Sequence, residues 1–396
     1  MQWSEPGHEF DMAYEERTHV YQDKNIVIYG AGMIGGRIYD AVSKLSALTV
    51  MAFFDSNKSK TEYKHLPVYD KEELRKYADS PNTIMIIGLP DETGRKIRDE
   101  LVSVYGFNQA LCKLYSEFIM YDFPIITLYQ RNKVFLDTVS MIVTEECTLR
   151  CEKCAIMLPY FGKVRPYPLN KLEQEADILF DKVDFIGNFT LTGGEPLLSR
   201  DLVPLIRYIG EKYRLKIGSF KIITNGTIIP SNDLLHVMQR FDMAVEISDY
   251  TSGVPGIKDR VEQTKELFEK SGIKTYLLSA MQWVDFGFET VNHNYSVTQL
   301  QRFFDSCHTR CRGYVDGKIR YCINAYFSER TLYGTEDDNN SFDIRAMNHS
   351  QEDRKRLVEF DLGFNETGFL KMCRHCNGTI EINQHFIEVG KQCVNH

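Results

Sequence analysis

The chain has 396 residues, 43% hydrophobic and 26% charged, with 47 Lys and Arg against 55 Asp and Glu for a formal net charge of -8. That length suits two or three domains, each able to bury its own core, and the acidic balance argues against a nucleic-acid surface, which needs a local excess of Lys and Arg. The 10 cysteines are too few for a disulfide scaffold, no apolar run reaches the ~18 to 20 residues that cross a bilayer, and no leader pattern opens the sequence. The expectation is a cytoplasmic protein, away from membranes, whose thiols serve metal or redox chemistry.

Residues 24–36, KNIVIYGAGMIGG, run from an apolar strand through a glycine turn into an amphipathic helix. Gly30, Gly32 and Gly35 fit G-x-G-x-x-G, in which the glycines allow a tight turn, close approach of backbone to a pyrophosphate and close helix packing. A second apolar strand, LTVMAFFD, ends on Asp55, about twenty residues on, where a ribose-binding acid sits in such folds. Thr83 to Pro90 and the helical ETGRKIRDELVSVYGF continue the alternation and predict a Rossmann-like, doubly wound α/β domain within residues 1–122. The stretches VIYGAGMIG, FFDSNKSK and LPVYDKEEL resemble the small nucleotide-binding domain found beside sugar-modifying enzymes of bacterial glycan pathways. A nucleotide or nucleotide-sugar ligand is expected on that ground, with NAD as one alternative and a scaffold that binds nothing as the other.

Residues 123–136 read as a linker. Val139 to Thr144 then reads as a strand, and Cys147, Cys151 and Cys154 of ECTLRCEKC lie on the loop just beyond its end. Helix and strand patterns alternate from there, predicting a partial, open parallel (βα)6 barrel over 137–300 with its active site at the C-terminal strand ends. Zinc in a structural site takes four ligands, and no fourth Cys or His lies within short reach of this triplet. A cubane iron-sulfur cluster on three protein thiolates leaves one iron open.

The spacing C-x-x-x-C-x-x-C after the first strand, with TGGEPLL (Thr192 to Leu198) after the second, resembles the radical S-adenosylmethionine enzymes, and the resemblance covers the whole central block. It implies a 4Fe-4S cluster on Cys147, Cys151 and Cys154, S-adenosyl-L-methionine on the open iron, a 5′-deoxyadenosyl radical that abstracts hydrogen, and a reductant such as flavodoxin or ferredoxin. Gly193 and Gly194 would let the backbone approach the methionyl group, Glu195 would accept from its ammonium, and Pro196 would stiffen the turn. By the same resemblance Ser248 or Asp249 of EISDY meets the cofactor's ribose or carboxylate, with Asn225 of TNG close by. The competing reading of each is a strand-end polar residue satisfying local backbone. Lys153 stands where the family often carries an aromatic residue.

Residues 301–396 hold Cys307, Cys311, Cys322, Cys373, Cys376 and Cys393. Two separated thiols, a long gap and a C-x-x-C resemble the twitch domain, the shortened relative of the SPASM domain. That implies a small C-terminal iron-sulfur domain with a second, auxiliary 4Fe-4S cluster on Cys307, Cys322, Cys373 and Cys376, zinc being the alternative for four thiolates. Cys311 and Cys393 are left over, as alternative ligands, inert thiols or hydrogen donors, and Cys311 is the candidate donor to a substrate radical. Cys112 reads as a buried thiol. By resemblance the substrate is a small carbohydrate-type molecule (a sugar, nucleotide-sugar or cyclitol), and the outcome is oxidation, as in the 2-deoxy-scyllo-inosamine dehydrogenases, or epimerisation. No unique base is readable: Lys163, Arg165 and Asp285 are candidates beside their reading as solvated loop charges. Peptide modification and a non-catalytic nucleotide-binding protein with zinc knuckles are the competing functions.

Overall fold

A computed structural model of the chain describes residues 9–393 apart from Asp79, Met281, His308, Arg310, Ile380 and Glu381. Runs rich in Ile, Val and Phe form β1 (Asn25–Tyr29), β2 (Thr49–Phe54), β3 (Glu62–Tyr63), β4 (Leu66–Tyr69), β5 (Thr83–Ile87) and β6 (Cys112–Leu114). They make one sheet in the spatial order β3-β4-β2-β1-β5-β6, parallel except between β3 and β4. Alternate residues feed two cores. Ile26, Ile28, Ile84 and Ile86 pack on one face, and Val27, Tyr29, Met85 and Ile87 on the other, which is why these strands are apolar throughout.

The expected linker is instead a packed helix, Phe123–Arg131, with Ile125, Ile126 and Leu128 fully buried. Pro124 follows the wide π turn Phe118–Asp122, with which this helix is continuous, and Asn132 ends it in the left-handed conformation at φ 50°. The apolar run FPIITL exists because this helix faces both the first sheet and the one that follows: Phe123 and Ile126 join the core of Ile26 and Ile84, and Ile125 and Leu128 join a third core with Met141 and Phe189.

The second sheet is built from β7 (Phe135–Thr144), β8 (Phe185–Gly193), β9 (Ile217–Thr224), β10 (Met243–Asp249) and β11 (Lys274–Ser279), all parallel, with the helices Leu169–Lys182, Leu202–Tyr213, Asn232–Arg240 and Lys258–Lys270 between them. Met141, Phe189, Phe220 and Val245 point to the helix layer and form the core with Leu172 and Ile206. The register Ser140 to Thr190 to Lys221 lays polar residues across the other face. Beyond residue 300 the chain returns: β12 (Gln282–Val284) waits for a late strand, while β13 (Arg312–Val315) pairs in parallel with β7. A hairpin through Asp316 (φ 56°) and Gly317 (φ 68°) leads to β14 (Lys318–Arg320), and β15 (Ser341–Asp343) closes the order β11-β10-β9-β8-β7-β13-β14-β15. Finally β16 (Phe386–Glu388) pairs antiparallel with β12.

The first sheet docks at the start of β7. Arg37, on the helix Met33–Leu45, reaches Asp137 at 2.8 Å, Tyr115 donates its hydroxyl to the same carboxylate at 2.5 Å, and Phe135 and Phe185 join the first core. Among the described residues no helix is long and apolar enough to cross a membrane.

Candidate active site at the C-terminal strand ends

The loop that follows β7 is anchored before its first cysteine. Glu145 is 2% exposed and receives Arg330 at 2.7 and 2.9 Å, the Tyr167 hydroxyl at 2.9 Å and the Arg165 backbone N–H at 3.0 Å. Burial opposes its ionisation, yet these hydrogen bonds hold the carboxyl below its ordinary range. Cys147, Cys151 and Cys154 then line one cavity of about 330 Å³ together with Gly193, Gly194, Asn225 and Ser248. Among the described residues no three His, Cys, Asp or Glu side chains close on a single-ion site. Burial pushes up the thiols of Cys147 and Cys154, and that of Cys151 to about 12, so metal binding here must expel protons. Three soft thiol donors around one pocket, with a backbone cradle beside them, fit an iron-sulfur cluster and do not suit a hard cation.

The paired glycines make that cradle possible. A Cβ on Gly193, whose φ is +152°, would meet the Thr144 carbonyl oxygen at 2.0 Å, and one on Gly194 would meet the Glu146 oxygen at 2.1 Å. The turn after β8 therefore lies directly on the cysteine loop, joined by Gly194 N–H to Thr144 O at 3.0 Å and Glu195 N–H to Glu146 O at 2.7 Å.

Other expected cofactor contacts are placed differently. Glu195 is fully buried and off the cavity wall, its carboxylate accepting from Thr224 at 2.8 Å, Asn225 N–H at 2.8 Å and Leu197 N–H at 3.0 Å. With both oxygens engaged it braces the turn against β9. Pro196 starts a short 3₁₀ turn beside it. Asp249 accepts from Thr251 N–H at 2.9 Å and the Ser279 hydroxyl at 2.7 Å, whereas Ser248, one step back on the alternating strand, faces the cavity. Asn225 sits between Thr148 at 3.0 Å and the Cys147 sulfur at 3.7 Å. Lys153 also lines the cavity, its ammonium bound to Glu289 at 2.5 Å and near Asp285 at 3.6 Å. Asp285 is thus held as an ion-pair partner, and Arg165 pairs with Asp316 at 3.1 Å, while Lys163 is exposed.

Residues not singled out from the sequence complete the wall. Tyr250 and Trp283 meet edge-on with centroids 5.1 Å apart, and both line the cavity. Burial pushes the Tyr250 phenol up to about 12. The only advance signal was that Trp283 is one of 2 tryptophans. Beneath the cavity, on the same strand faces as Ile223 and Ser248, Lys221 and Glu246 form an ion pair; strand alternation alone puts Glu246 and Ser248 on one face, while Lys221 carries no such signal.

Of the late cysteines, Cys307, Cys322, Cys373 and Cys376 lie within electrostatic reach of one another. Burial raises Cys322 to about 12 and pushes Cys373 and Cys376 up as well. Cys393 lies apart from them, beside Cys151 and Cys154, with its N–H on Arg150 O at 2.7 Å. Cys311 is off the cavity wall, bonded to Ser140 at 3.0 Å in the polar layer below. Cys112 is 1% exposed, and burial raises it to about 11.

In the first sheet, Gly35 packs so closely that a Cβ would meet Gly30 O at 1.9 Å, while the space over Gly32 is open. Asp55 already accepts from Ala31 N–H at 2.9 Å, and Lys60 donates to Ala31 O at 2.7 Å.

Comparison with known proteins bears on the central block. Residues 141–270 match the family model described as the Radical SAM superfamily. The AdoMet-dependent heme synthase of Oleidesulfovibrio alaskensis is 29% identical over 144 residues, 33% of this chain and 35% of its own length. The GTP 3′,8-cyclase of Rhizobium etli is 27% identical over 106 residues, 26% of this chain and 29% of its own. The matched region thus spans about a third of these curated relatives. Among solved structures, BtrN in complex with AdoMet and 2-DOIA aligns at 16% identity and a TM-score of 0.36, over 62% of this chain and 94% of that one. Residues 141–270, which carry the three cysteines and the TGGEP turn, form a radical SAM domain.

Proposed function

We propose that the chain is a radical S-adenosylmethionine enzyme that removes a hydrogen atom from a carbon of a sugar or cyclitol, with oxidation or epimerisation as the outcome. The observation that carries this reading is the single cavity shared by Cys147, Cys151 and Cys154 with Gly193, Gly194 and Ser248. The three thiolates would hold the cluster, and Ser248 and Asn225 offer polar contacts for the cofactor. When bound, cluster and cofactor supply the radical that attacks an unactivated C–H bond. Tyr250 and Trp283 exclude water from that space. Ser140, Thr190 and the Lys221–Glu246 pair furnish a polar layer suited to hydroxyl groups, and the Glu246 carboxylate, beside the Lys221 ammonium, is the group we assign to take the hydroxyl proton when a carbinol is oxidised. Cys307, Cys322, Cys373 and Cys376 would hold the auxiliary cluster, a route for the remaining electron.

We further read the strands as a partial barrel and the first sheet as Rossmann-like. The order with β1 between β2 and β5 supports the latter, since the glycine loop then lies where the strand order switches direction. Its ligand is separate from the substrate. Arg37, one turn beyond that loop, touches Asp137 at the start of β7, and the seven residue steps from Asp137 to Thr144 span about 23 Å of strand. This favours a free sugar or cyclitol over a nucleotide-linked one.

Anaerobic reconstitution tests the reading. About eight irons per chain and 5′-deoxyadenosine on reduction are expected, whereas a chain that takes up zinc alone is a binding protein. With substrate, solvent deuterium retained in the product identifies epimerisation, and a ketone product lost in Glu246→Gln identifies oxidation through the assigned carboxylate.

A further inference from the structure

The end of the described chain crosses the cysteine loop. After β16 has paired with β12 and so fixed Trp283, Val389 packs at 1% exposure, and its carbonyl oxygen lies so near Gly253 that a Cβ there would come within 1.7 Å. The next residues run antiparallel to Arg150–Glu152. Glu152 N–H donates to Lys391 O at 2.7 Å, Cys393 N–H donates to Arg150 O at 2.7 Å, and Lys391 pairs with the Glu152 carboxylate at 2.7 Å. Cys151 and Gln392 stand opposite each other in this bridge.

The orientation of the Gln392 amide is fixed by its neighbours. Its Oε1 accepts from Arg150 N–H at 2.7 Å, a contact only oxygen can make, so Nε2 carries the protons that face Gly390 O at 2.5 Å and Cys151 Sγ at 3.4 Å. An NH₂ group has two hydrogens, one for each acceptor.

We propose that Gln392 is a positioning residue of the three-cysteine cluster, whose N–H donation to the Cys151 sulfur raises the cluster's reduction potential. Electron density on a cluster thiolate grows on reduction, so a donor aimed at that sulfur stabilises the reduced form more than the oxidised one. The same strap covers the outer side of the loop and restricts water there. This inference rests on the reading that Cys147, Cys151 and Cys154 hold an iron-sulfur cluster. That reading fails separately, before any Gln392 variant is compared, if the wild-type chain gives the same iron count as Cys147→Ala.

The experiment is a redox titration of the anaerobically reconstituted full chain, followed by electron paramagnetic resonance, for wild type, Gln392→Leu and Gln392→Glu. The glutamate keeps the acceptor for Arg150 N–H and replaces only the donor by an oxygen. Both variants are expected to load iron as wild type does and to shift the midpoint of this cluster to more negative potential, Gln392→Glu further than Gln392→Leu because it adds charge. The signal of the auxiliary cluster serves as the internal control and stays in place. Unchanged midpoints in both variants overturn the proposal. So does loss of the iron in either variant, since Gln392 would then be needed only to build the loop.

Discussion

Glu175 is a buried carboxyl whose ion-pair partner, Lys171, stands 3.8 Å away. Burial raises it from 4.5 to about 7. A carboxyl raised on folding keeps its proton when the unfolded chain has lost it, so its contribution is full below about pH 4.5 and is lost as the pH climbs to about 7. The loss is on the order of 3 kcal/mol. Glu175→Gln is therefore expected to melt higher than wild type at pH 8 and to flatten the stability curve between those limits; identical pH profiles for the two proteins would refute this. Gly194 makes a second case. An alanine Cβ would lie 2.1 Å from Glu146 O, a backbone atom that cannot swing aside. Gly194→Ala should cost ~1 to 3 kcal/mol and lower the iron bound after reconstitution, measured as melting midpoint and metal content. Cysteine spacing and the double glycine were legible in the sequence because both are local. The role of Gly194 in seating the cysteine loop was not, because Glu146 O reaches it from another strand end, and neither were the buried partners of Glu195, Thr224 and Asn225, which come from β9 and the turn after it.

At the scale of elements, the strands flanking each motif follow from runs such as NIVIY and FIGNFTLTG, whose alternation or continuous apolarity survives into the sheets. The helix Phe123–Arg131 was missed because its uniform apolarity hides the helical period when both sides are buried. β13 and β14 were missed although Asp316-Gly317 between apolar residues is a hairpin signal. The cysteines on either side drew the eye to metal spacing instead. This hairpin depends on Arg312, 5% exposed, whose guanidinium binds Asp361 Oδ1 at 2.9 Å, Asp361 O at 2.6 Å and Thr309 O at 2.8 Å. Arg312→Ala leaves Asp361, its side chain 13% exposed, without its partner, and a loss of ~3 to 5 kcal/mol is expected in denaturant unfolding. A loss below 1 kcal/mol would mean that β13 is held by its strand pairing to β7 alone.

Across the whole molecule, chemistry and docking occupy opposite ends of the second sheet. The cysteine cavity lies past the C-terminal ends of the strands, and the first sheet meets the start of β7 through Arg37, Tyr115 and Asp137. The late segments then return to the cavity: β13 extends the sheet, Arg330 grips Glu145, and β16 with residues 389–393 holds Trp283 and the cysteine loop. The sequence order of motifs, with the cysteines of residues 301–396 far from the first triplet, could not reveal that the last residues seal the first motif.

A cluster on Cys147, Cys151 and Cys154 that cleaves S-adenosylmethionine, as proposed, is tested directly by measuring 5′-deoxyadenosine formed by the anaerobically reconstituted, reduced chain beside Cys151→Ala. Formation by the wild type and none by the variant is expected. Undiminished 5′-deoxyadenosine in Cys151→Ala, or a wild-type chain that takes up no iron and forms none, would contradict it.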